Sequence, residues 1–290
     1  MEKTIERATF QELAQFLAEM NQSKQNHIGF CGEKALEIEQ TLTEDFIDQD
    51  GNAAFFVARS ETGELTAAIG LDMDEETAEV WGPFNRSATP EEQMRLWEAC
   101  IQAYPEIKKF FFFINEENRA QQLFAEQLGA RKTGEHLTLL MVKDQLQPIE
   151  EYVSKNFSQE DEMAFREIHD TEFPRTYYDA STIISRLNDE HILRIGKTEA
   201  DGVIGYAYFE INREMKEATL EYIAIAPAAR NRGFGTTLLR EVLTDIFSFP
   251  EIESIQLCVD HQNDQANHVY VKAGFERKDV LYSYVLKSEK

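Results

Sequence analysis

An internal repeat is the feature that most limits how this chain can fold. Residues Glu106–Phe113 align with Glu251–Cys258 at an offset of 145, half of the 290-residue length. The alignment continues without a gap, so that Gly129 falls on Gly274. Each copy has an apolar strand, a polar loop, an amphipathic helix ending at that glycine, and a second strand. Matched elements in matched order predict two copies of one domain.

The repeat predicts a first domain over residues 1–145 and a second over residues 150–290. The junction is expected near Asp144–Glu150, where Pro148 interrupts the pattern. A chain of 290 residues, 42% of them hydrophobic, is long and apolar enough for two domains with cores of their own.

Hydrophobic periodicity predicts the same kinds of element in both halves. In the first half we predict helices at 11–20 and 90–104 and strands at 53–59, 65–71, 77–81, 110–114 and 137–142. In the second half we predict helices at 159–172, 181–187 and 236–247 and strands at 191–196, 203–211, 218–226 and 281–286. The predicted fold class is α+β, with two tandem domains that each have a mixed, mostly antiparallel sheet flanked by helices.

The charge of the chain argues against one class of partner. There are 53 Asp and Glu against 29 Lys and Arg, which gives a formal net charge of -24 at pH 7. Both halves are acidic. Nucleic-acid binding depends on Lys and Arg that neutralise phosphates, so no nucleic-acid partner is expected. An acidic surface would attract a cationic small molecule, or it serves solubility alone.

The sequence also predicts a cytoplasmic protein without a membrane span or a metal. No apolar run approaches the ~20 residues that a membrane helix needs, and the first residues do not resemble a signal peptide. The cysteines Cys31, Cys100 and Cys258 form no close pair, which is typical of a reducing compartment. The six histidines show no metal-ligand spacing.

One loop in the second half carries the strongest chemical signal. An apolar strand ends before Pro227, a short basic loop with two glycines follows, and a helix begins. The unpaired N–H groups at a helix start attract anions. Gly233 and Gly235 allow close approach of the backbone, and Arg230 and Arg232 add positive charge. These features predict a pyrophosphate site, although the sequence has neither a P-loop nor a three-glycine dinucleotide fingerprint.

These residues resemble a known family. The pattern Arg230-x-x-Gly233-x-Gly235 is similar to the acetyl-CoA signature of the GNAT N-acetyltransferases, in which Gln or Arg stands first and Gly or Ala last. A second pattern resembles the coenzyme-binding segment of the same family, and it reads Asn263-x-x-Ala266-x-x-Val269-Tyr270-x-Lys272-x-Gly274-Phe275. The resemblance covers residues 150–290 well and, through the repeat, extends weakly to the first half.

The resemblance implies a role for each matching residue. It implies that acetyl-CoA is the co-substrate and that the loop holds its pyrophosphate through Arg230, Asn231, Arg232, Gly233, Phe234, Gly235 and Thr236. It implies that backbone groups of Ile225 and Ala226 and the side chain of Asn263 contact the pantetheine arm. Tyr270 would stand near the sulfur as the general acid. The implied chemistry is direct attack of a neutral amine on the thioester.

Glu221 is the candidate base. In strict alternation it shares a strand face with Ile223 and Ile225, where a carboxylate would have a raised pKa. It could act directly or through water, and Asp260 and His261 are alternatives. Each functional assignment has a purely structural alternative. Glu221 would be an ion-paired strand residue, Tyr270 would pack in the core, and the two arginines would be surface charges on a tight turn.

The first half is predicted to have lost the coenzyme site. Aligning Gly82-Pro83 with Ala226-Pro227 places Arg86 on Arg230. In this frame the two site glycines are replaced by Thr89 and Glu91, Pro90 lacks an N–H, and Glu91 would repel phosphate. The partner of Tyr270 is Ala125, which has no proton to donate. A variant site that uses Phe124 and a shifted loop is the alternative.

The function predicted from the sequence is transfer of an acetyl group from acetyl-CoA to a primary amine, catalysed by the second domain. The acceptor is a small-molecule or peptide amine of unspecified identity. The first domain would be structural or would shape the acceptor cleft. The alternative function is a protein that binds acetyl-CoA or serves as an interaction module without catalysis. The sequence does not specify an oligomeric state.

Overall fold

The computed structural model describes residues 8–47, 53–149 and 152–288. Within these ranges it contains eleven strands and eight α-helices. The predicted α+β class is confirmed: each half has strands and flanking helices, and the strands pair mainly in antiparallel hairpins. Within the same ranges no helix has the length and apolar character to cross a membrane.

The first half contains four helices and five strands. The helices are α1 (Phe10–Asn21), α2 (Ala35–Asp45), α3 (Pro90–Ala103) and α4 (Arg119–Gln127). The strands are β1 (Phe55–Arg59), β2 (Leu65–Asp74), β3 (Thr77–Asn85), β4 (Lys109–Asn115) and β5 (Arg131–Val142).

The second half repeats this order with one extra strand at its start. The strands are β6 (Ser154–Asn156), β7 (His191–Thr198), β8 (Gly202–Asn212), β9 (Glu217–Ile225), β10 (Ser254–Asp260) and β11 (Glu276–Lys287). The helices are α5 (Glu162–Glu172), α6 (Ala180–Arg186), α7 (Phe234–Ser248) and α8 (Asp264–Ala273).

The chain forms two compact units. Unit one comprises Met1–His136 and Asp279–Lys290, and unit two comprises Leu137–Lys278. The strand that follows α8 therefore completes unit one, where β11 pairs antiparallel with β4 from Leu281 to Lys287. The strand that follows α4 continues into unit two, where β5 neighbours β10.

These units differ from the predicted domains 1–145 and 150–290 at both ends of the second domain. Residues 137–145 belong to unit two, and the C-terminal strand belongs mostly to unit one. The physical reason is that hydrogen bonds between strands distant in sequence decide which unit a strand completes, and periodicity carries no information on pairing. Glu150, at the end of the predicted junction, lies outside the described residues.

In each unit two neighbouring strands separate along their length. In unit one, β3 and β4 pair only at their beginnings, from Thr77–Glu79 against Lys109–Phe111. In unit two, β9 is the last strand of the sheet β6-β7-β8-β9, and within the described residues it forms no ladder with β10. The backbone groups on this side of β9 therefore lack a neighbouring strand.

Local geometry confirms the internal repeat. Asn118 and Asn263 are the N-cap residues of α4 and α8, with φ/ψ of -81°/70° and -83°/71°, and each side chain accepts the N–H three residues on. Gly129 and Gly274 follow these helices at φ of +87° and +116°. A left-handed residue closes each helix, as the glycines predict.

The predicted elements are present, and two were missed. Helix α2 was missed because Lys34 at its N-cap makes no side-chain cap and only Ile38 and Leu42 bury an apolar stripe. Strand β6 has only three residues. Tertiary packing rather than local preference stabilises such short segments.

A buried carboxylate holds the beginning of unit two. Glu241 of α7 is fully buried. Its two oxygens accept the backbone N–H groups of Val153 at 2.5 Å and Ser154 at 2.9 Å, and the Ser154 hydroxyl also donates to it. Charge-assisted bonds of this kind are stronger than neutral ones, and here they attach β6 to the helix that carries the site loop.

We expect Glu241→Gln to destabilise unit two by about 2 kcal/mol, because the amide removes the charge and presents an NH2 group to a donor. The measurement is urea unfolding followed by fluorescence. The matched control is Glu167→Gln on the exposed face of α5. Equal stability of the two variants would contradict this interpretation.

Candidate active site

The separation of β9 from β10 opens a cavity of about 410 Å³ in unit two. The cavity brings together residues of both predicted motifs and also reaches the end of α5. Six predicted coenzyme-binding residues do not line it: Ala226, Asn231, Arg232, Gly233, Phe234 and Thr236. Its lining consists of Glu172, Phe173, Leu220–Ile225, Arg230, Gly235, Val259, Asn263, Gln265, Ala266, Val269 and Tyr270.

The backbone of β9 presents hydrogen-bonding groups to this cavity. The Ala226 N–H donates to the Ile204 carbonyl at 2.8 Å, so these two residues form a hydrogen-bonded pair. In an antiparallel ladder such pairs alternate with non-bonded ones. The polar groups of Ile223 and Ile225 therefore point away from β8, toward the gap between β9 and β10. The N–H of Ala226 is already bonded and is not available in the cavity.

The start of α7 is left open. Gly233 is the N-cap at φ +87° and, having no side chain, makes no cap hydrogen bond. In the described part of the chain, no protein acceptor faces the N–H groups of Phe234, Gly235 and Thr236. Asn231 is also left-handed, at φ +61°. Alternating backbone conformations of this kind orient N–H groups toward an anion.

The two glycines are needed for different reasons. A Cβ on Gly233 would meet nothing within 4 Å, so its requirement for glycine comes from the positive φ and from the open space in front of the helix. A Cβ on Gly235 would lie 3.5 Å from Ile225 and 3.7 Å from Val269. That space accommodates a methyl group and no more, which agrees with Gly or Ala at this point of the signature.

The two arginines of the loop are engaged within unit two. The Arg230 guanidinium donates to the Ile225 carbonyl at 3.0 Å and forms an ion pair with Glu172 of α5. Arg232 pairs with Asp201 at 3.0 Å and stacks over the Phe234 ring at 4.8 Å. Arg230 thus fixes the loop against the end of β9 and against α5, a role that the sequence did not predict.

Tyr270 and Asn263 lie on α8 and at its start. The Asn263 side chain caps the helix by accepting the Ala266 N–H at 3.0 Å. The Tyr270 ring packs against Phe275, with 5.6 Å between ring centroids. Its hydroxyl lies at the cavity without a hydrogen-bond partner among the described residues. Burial raises the pKa of the Tyr270 phenol, so it keeps its proton at neutral pH.

Glu221 lies at a bulge in β9. Tyr208 of β8 pairs with Tyr222 and Phe209 with Leu220, so Glu221 has no partner on β8. The predicted face of Glu221 is wrong, because this bulge shifts the alternation: Leu220 and Ile223, three residues apart, pack into the same cluster. Glu221 instead interacts with charges on the other side of the sheet.

The surroundings of Glu221 shift the pKa of its carboxyl upward. Burial raises the pKa of its carboxyl, the nearby Glu210 raises it further, and Arg186 acts in the opposite direction. The alternative bases Asp260 and His261 are exposed and do not line the cavity. Among the candidates, Glu221 alone lines the cavity.

The corresponding place in unit one is occupied by its own side chains. Thr89 caps α3, accepting the Glu92 N–H at 3.2 Å while the Glu92 carboxylate accepts the Thr89 N–H at 2.9 Å. Gln121, which aligns with the small Ala266, donates to the Pro83 carbonyl at 3.0 Å and so bridges from α4 to β3. Ala125, the partner of Tyr270, is fully buried.

The predicted alignment of the first half with the second is right at the starts of α3 and α7 and wrong at the ends of β3 and β9. Thr89 and Gly233 are both N-caps, as expected. The pair Gly82-Pro83, however, lies inside β3 at an irregularity opposite β2, whereas Pro227 follows the end of β9. The connection to the helix has four residues in unit one (86–89) and eight in unit two (226–233). The shorter connection has no room for the second unit's loop.

One trace of the motif persists in unit one. Arg86 pairs with Glu19 of α1 at 2.7 Å, as Arg230 pairs with Glu172 of α5. The ion pair is present in unit one although the start of α3 is capped there. It is therefore a structural feature of the repeated domain and does not depend on an open helix start.

The sequence missed the part of the cavity that α5 contributes. Glu172 and Phe173 end a helix whose amphipathic pattern gives no sign that its last turn faces a cavity. Within the described residues no group of three metal-ligating side chains occurs. Cys31 and Cys100 are buried, and burial raises the pKa of the Cys100 thiol to about 12, so neither is an activated nucleophile.

Comparison with known proteins agrees with this geometry. Residues 155–275 match the family model described as the acetyltransferase (GNAT) family. The fold is similar to that of a GCN5-related N-acetyltransferase from Sphaerobacter thermophilus, with a TM-score of 0.71, 16% identity and coverage of 96% of this chain and 92% of that chain.

Two further solved structures share the fold. A tandem GNAT protein from the clavulanic acid biosynthesis pathway has a TM-score of 0.65 at 15% identity, covering 97% of this chain and 95% of that chain. A GNAT-family acetyltransferase from Colwellia psychrerythraea has a TM-score of 0.55 at 15% identity, with 87% and 96% covered. Residues 155–275 thus match the model of the GNAT acetyltransferase family, and the chain as a whole has the same fold as these tandem and GCN5-related structures.

Proposed function

We propose that unit two transfers an acetyl group from acetyl-CoA to an amine. The observation that carries this proposal is the open start of α7, preceded by the left-handed Gly233 and adjacent to the unpaired backbone of β9. A long, phosphate-bearing thioester requires three kinds of group at one cavity. They are an uncapped helix start for the phosphates, unbonded strand groups for the amides of the arm, and a proton donor for the sulfur.

The coenzyme pyrophosphate would bind at the start of α7. The N–H groups of Phe234, Gly235 and Thr236 would donate to its oxygens, with Asn231 and Gly233 giving the loop its shape. The charges of Arg230 and Arg232 contribute a positive field, although both guanidinium groups remain bonded within unit two. The helix dipole adds to this attraction.

The pantetheine arm would lie along β9. Its amides would pair with the backbone groups of Ile223 and with the Ile225 N–H, in the manner of an added strand; the Ile225 carbonyl already accepts from Arg230. The Ile225 N–H would then donate to the thioester oxygen, where negative charge develops. Ala226 and Asn263 shape the two ends of this path, Asn263 by fixing the start of α8.

Catalysis would proceed in one displacement. The nitrogen of the neutral amine attacks the thioester carbon, a C–N bond forms, and the C–S bond breaks. Glu221, directly or through a water, accepts the proton that the amine loses, and Tyr270 gives its phenolic proton to the departing thiolate. Raised pKa values suit both roles: Glu221 becomes a better base, and Tyr270 stays protonated until the thiolate forms.

The acceptor would enter beside α5. Glu172, Phe173 and Tyr222 form this end of the cavity, and the Tyr222 hydroxyl holds the loop after α5 through Thr176 at 2.6 Å. A small-molecule or peptide amine would fit here. A cytoplasmic location stays a prediction from the sequence.

Unit one would bind no acetyl-CoA. The capping box of Thr89 and Glu92 satisfies the helix start, Gln121 bridges the gap that the pantetheine arm would need, and Ala125 cannot donate a proton. Its role would be structural, or it would shape the acceptor cleft of the protein.

We expect Gly233→Val to lower the affinity for acetyl-CoA at least 100-fold, because the side chain would project into the space in front of α7. The measurement is isothermal titration calorimetry with acetyl-CoA. The matched control is Gly63→Val, since Gly63 has φ +88° and also faces open space, so it carries the same backbone strain in a turn of unit one.

The control should bind like the wild type. Wild-type affinity in a folded Gly233→Val protein would remove this loop from the site, and equal losses in both variants would attribute the effect to strain alone.

We expect Tyr270→Phe to lower kcat by 10²–10⁴-fold while the affinity for acetyl-CoA changes less than threefold. The phenol acts on the thiolate, which exists only as the C–S bond breaks, so the loss appears in the transition state. Thiol release is measured over a panel of primary amines, with Tyr152→Phe, an exposed tyrosine, as the control.

Unchanged turnover in Tyr270→Phe, with chemistry limiting the rate, would reassign Tyr270 to packing against Phe275. Binding of acetyl-CoA without thiol release on any amine would favour the non-catalytic alternative for the whole protein.

A further inference from the structure

A charged network lies on the β8 side of the proposed base. The Arg186 guanidinium, at the end of α6, contacts both carboxylate oxygens of Glu210 at 3.0 Å. The Tyr208 hydroxyl donates to Glu210 at 2.5 Å, and the guanidinium stacks over the Tyr178 ring at 4.6 Å. Each of these polar groups contacts at least one other, and the imidazole of His191 on β7 lies 3.6 Å from the Glu210 carboxylate.

The strand register places this network next to Glu221. Tyr208 pairs with Tyr222 and Glu210 pairs with Thr219, so the bulged Glu221 stands on β9 between the two partners. The bulge frees Glu221 from the alternation that places Leu220 and Ile223 on the opposite side. Tyr208 and Tyr222 belong to the buried core on this side of the sheet. Core packing therefore does not explain the ion pair between Arg186 and Glu210.

We propose that Arg186 and Glu210 are positioning residues that hold a balanced pair of charges beside Glu221 and thereby determine when it can accept the amine proton. The inference rests on the proposed role of Glu221 as the base. Arg186 and Glu210 touch neither reacting atom. They act through the field that they create at the Glu221 carboxylate, and the Glu210 anchor keeps Arg186 at a fixed position.

The two charges act on Glu221 in opposite directions. The negative charge of Glu210 raises the pKa of Glu221, and the positive charge of Arg186 lowers it, while burial has the largest effect. The same two charges, together with Glu221, also act on the phenol of Tyr178. The titratable or charged groups around Glu221 are Glu172 of α5, Tyr178 of the following loop, Arg186 of α6, Tyr208 and Glu210 of β8, Tyr222 of β9, Arg230 and, across the cavity, Tyr270.

The test is a direct titration of Glu221 in the full chain. The probe is glutamate labelled with ¹³C at the side-chain carboxyl, followed by NMR against pH, and the Glu221 signal is assigned by its absence from Glu221→Gln. We expect Arg186→Gln to move the midpoint up by about one pH unit and Glu210→Gln to move it down by about one, a tenfold change in proton affinity in each direction. In Arg186→Gln, Glu221 then becomes deprotonated only at higher pH.

Two further variants keep the test decisive. Arg186→Lys preserves the charge and should keep the midpoint within about 0.3 unit of wild type. Arg213→Gln removes an exposed arginine of the β8–β9 turn, which pairs with Glu190, and should leave it unchanged. A structural role alone would not shift the midpoint with opposite signs in Arg186→Gln and Glu210→Gln.

Shifts of the same sign in both variants, or none in either, would overturn the proposal. The proposed function is tested separately, by measuring turnover. Full activity of Glu221→Gln would exclude Glu221 as the base, whatever the titration of its carboxyl shows.

Discussion

The site depends on one interrupted hydrogen-bond ladder. β9 keeps its bonds to β8 but has no partner on its other side, because β10 turns away and pairs with β5 instead. The backbone groups of Ile223 and the N–H of Ile225, which β8 does not bind, and the cavity beside β9 all follow from this separation, while the Ile225 carbonyl is bonded to Arg230. A continuous sheet would satisfy these groups and leave no space for a ligand. Gly235 sustains the arrangement by letting α7 pack closely on Ile225 and Val269.

The two copies of the domain show how such a site is closed with few changes. The start of α3 is satisfied by Thr89 and Glu92 from within the helix, while the start of α7 is left to an outside acceptor. Gln121 spans a gap that Ala266 leaves open. The ion pair between the loop arginine and a helix near the start of the unit occurs in both units, Arg86 with Glu19 and Arg230 with Glu172, so it belongs to the shared fold.

Features that local signals specify were predictable from the sequence. The offset of 145 and the helix ends at Gly129 and Gly274 were predicted from matched positions and helix-end chemistry, and Arg230 and Gly235 of the loop and Asn263 and Tyr270 of the second motif line one cavity. Features that depend on distant partners were not predictable. The pairing of β11 with β4, the bulge at Glu221, the engagement of Arg230 by Glu172 and the bridge made by Gln121 each need tertiary contacts that periodicity does not encode.

Amide hydrogen exchange on the intact chain, with and without acetyl-CoA, tests the central claim most directly. We expect acetyl-CoA to protect the N–H groups of Phe234–Thr236 strongly, because the pyrophosphate would accept them, and to cause no change at Glu91–Gln93, where α3 is already capped. Protection at both helix starts, or at α3 alone, would contradict the proposal that only the second copy binds acetyl-CoA.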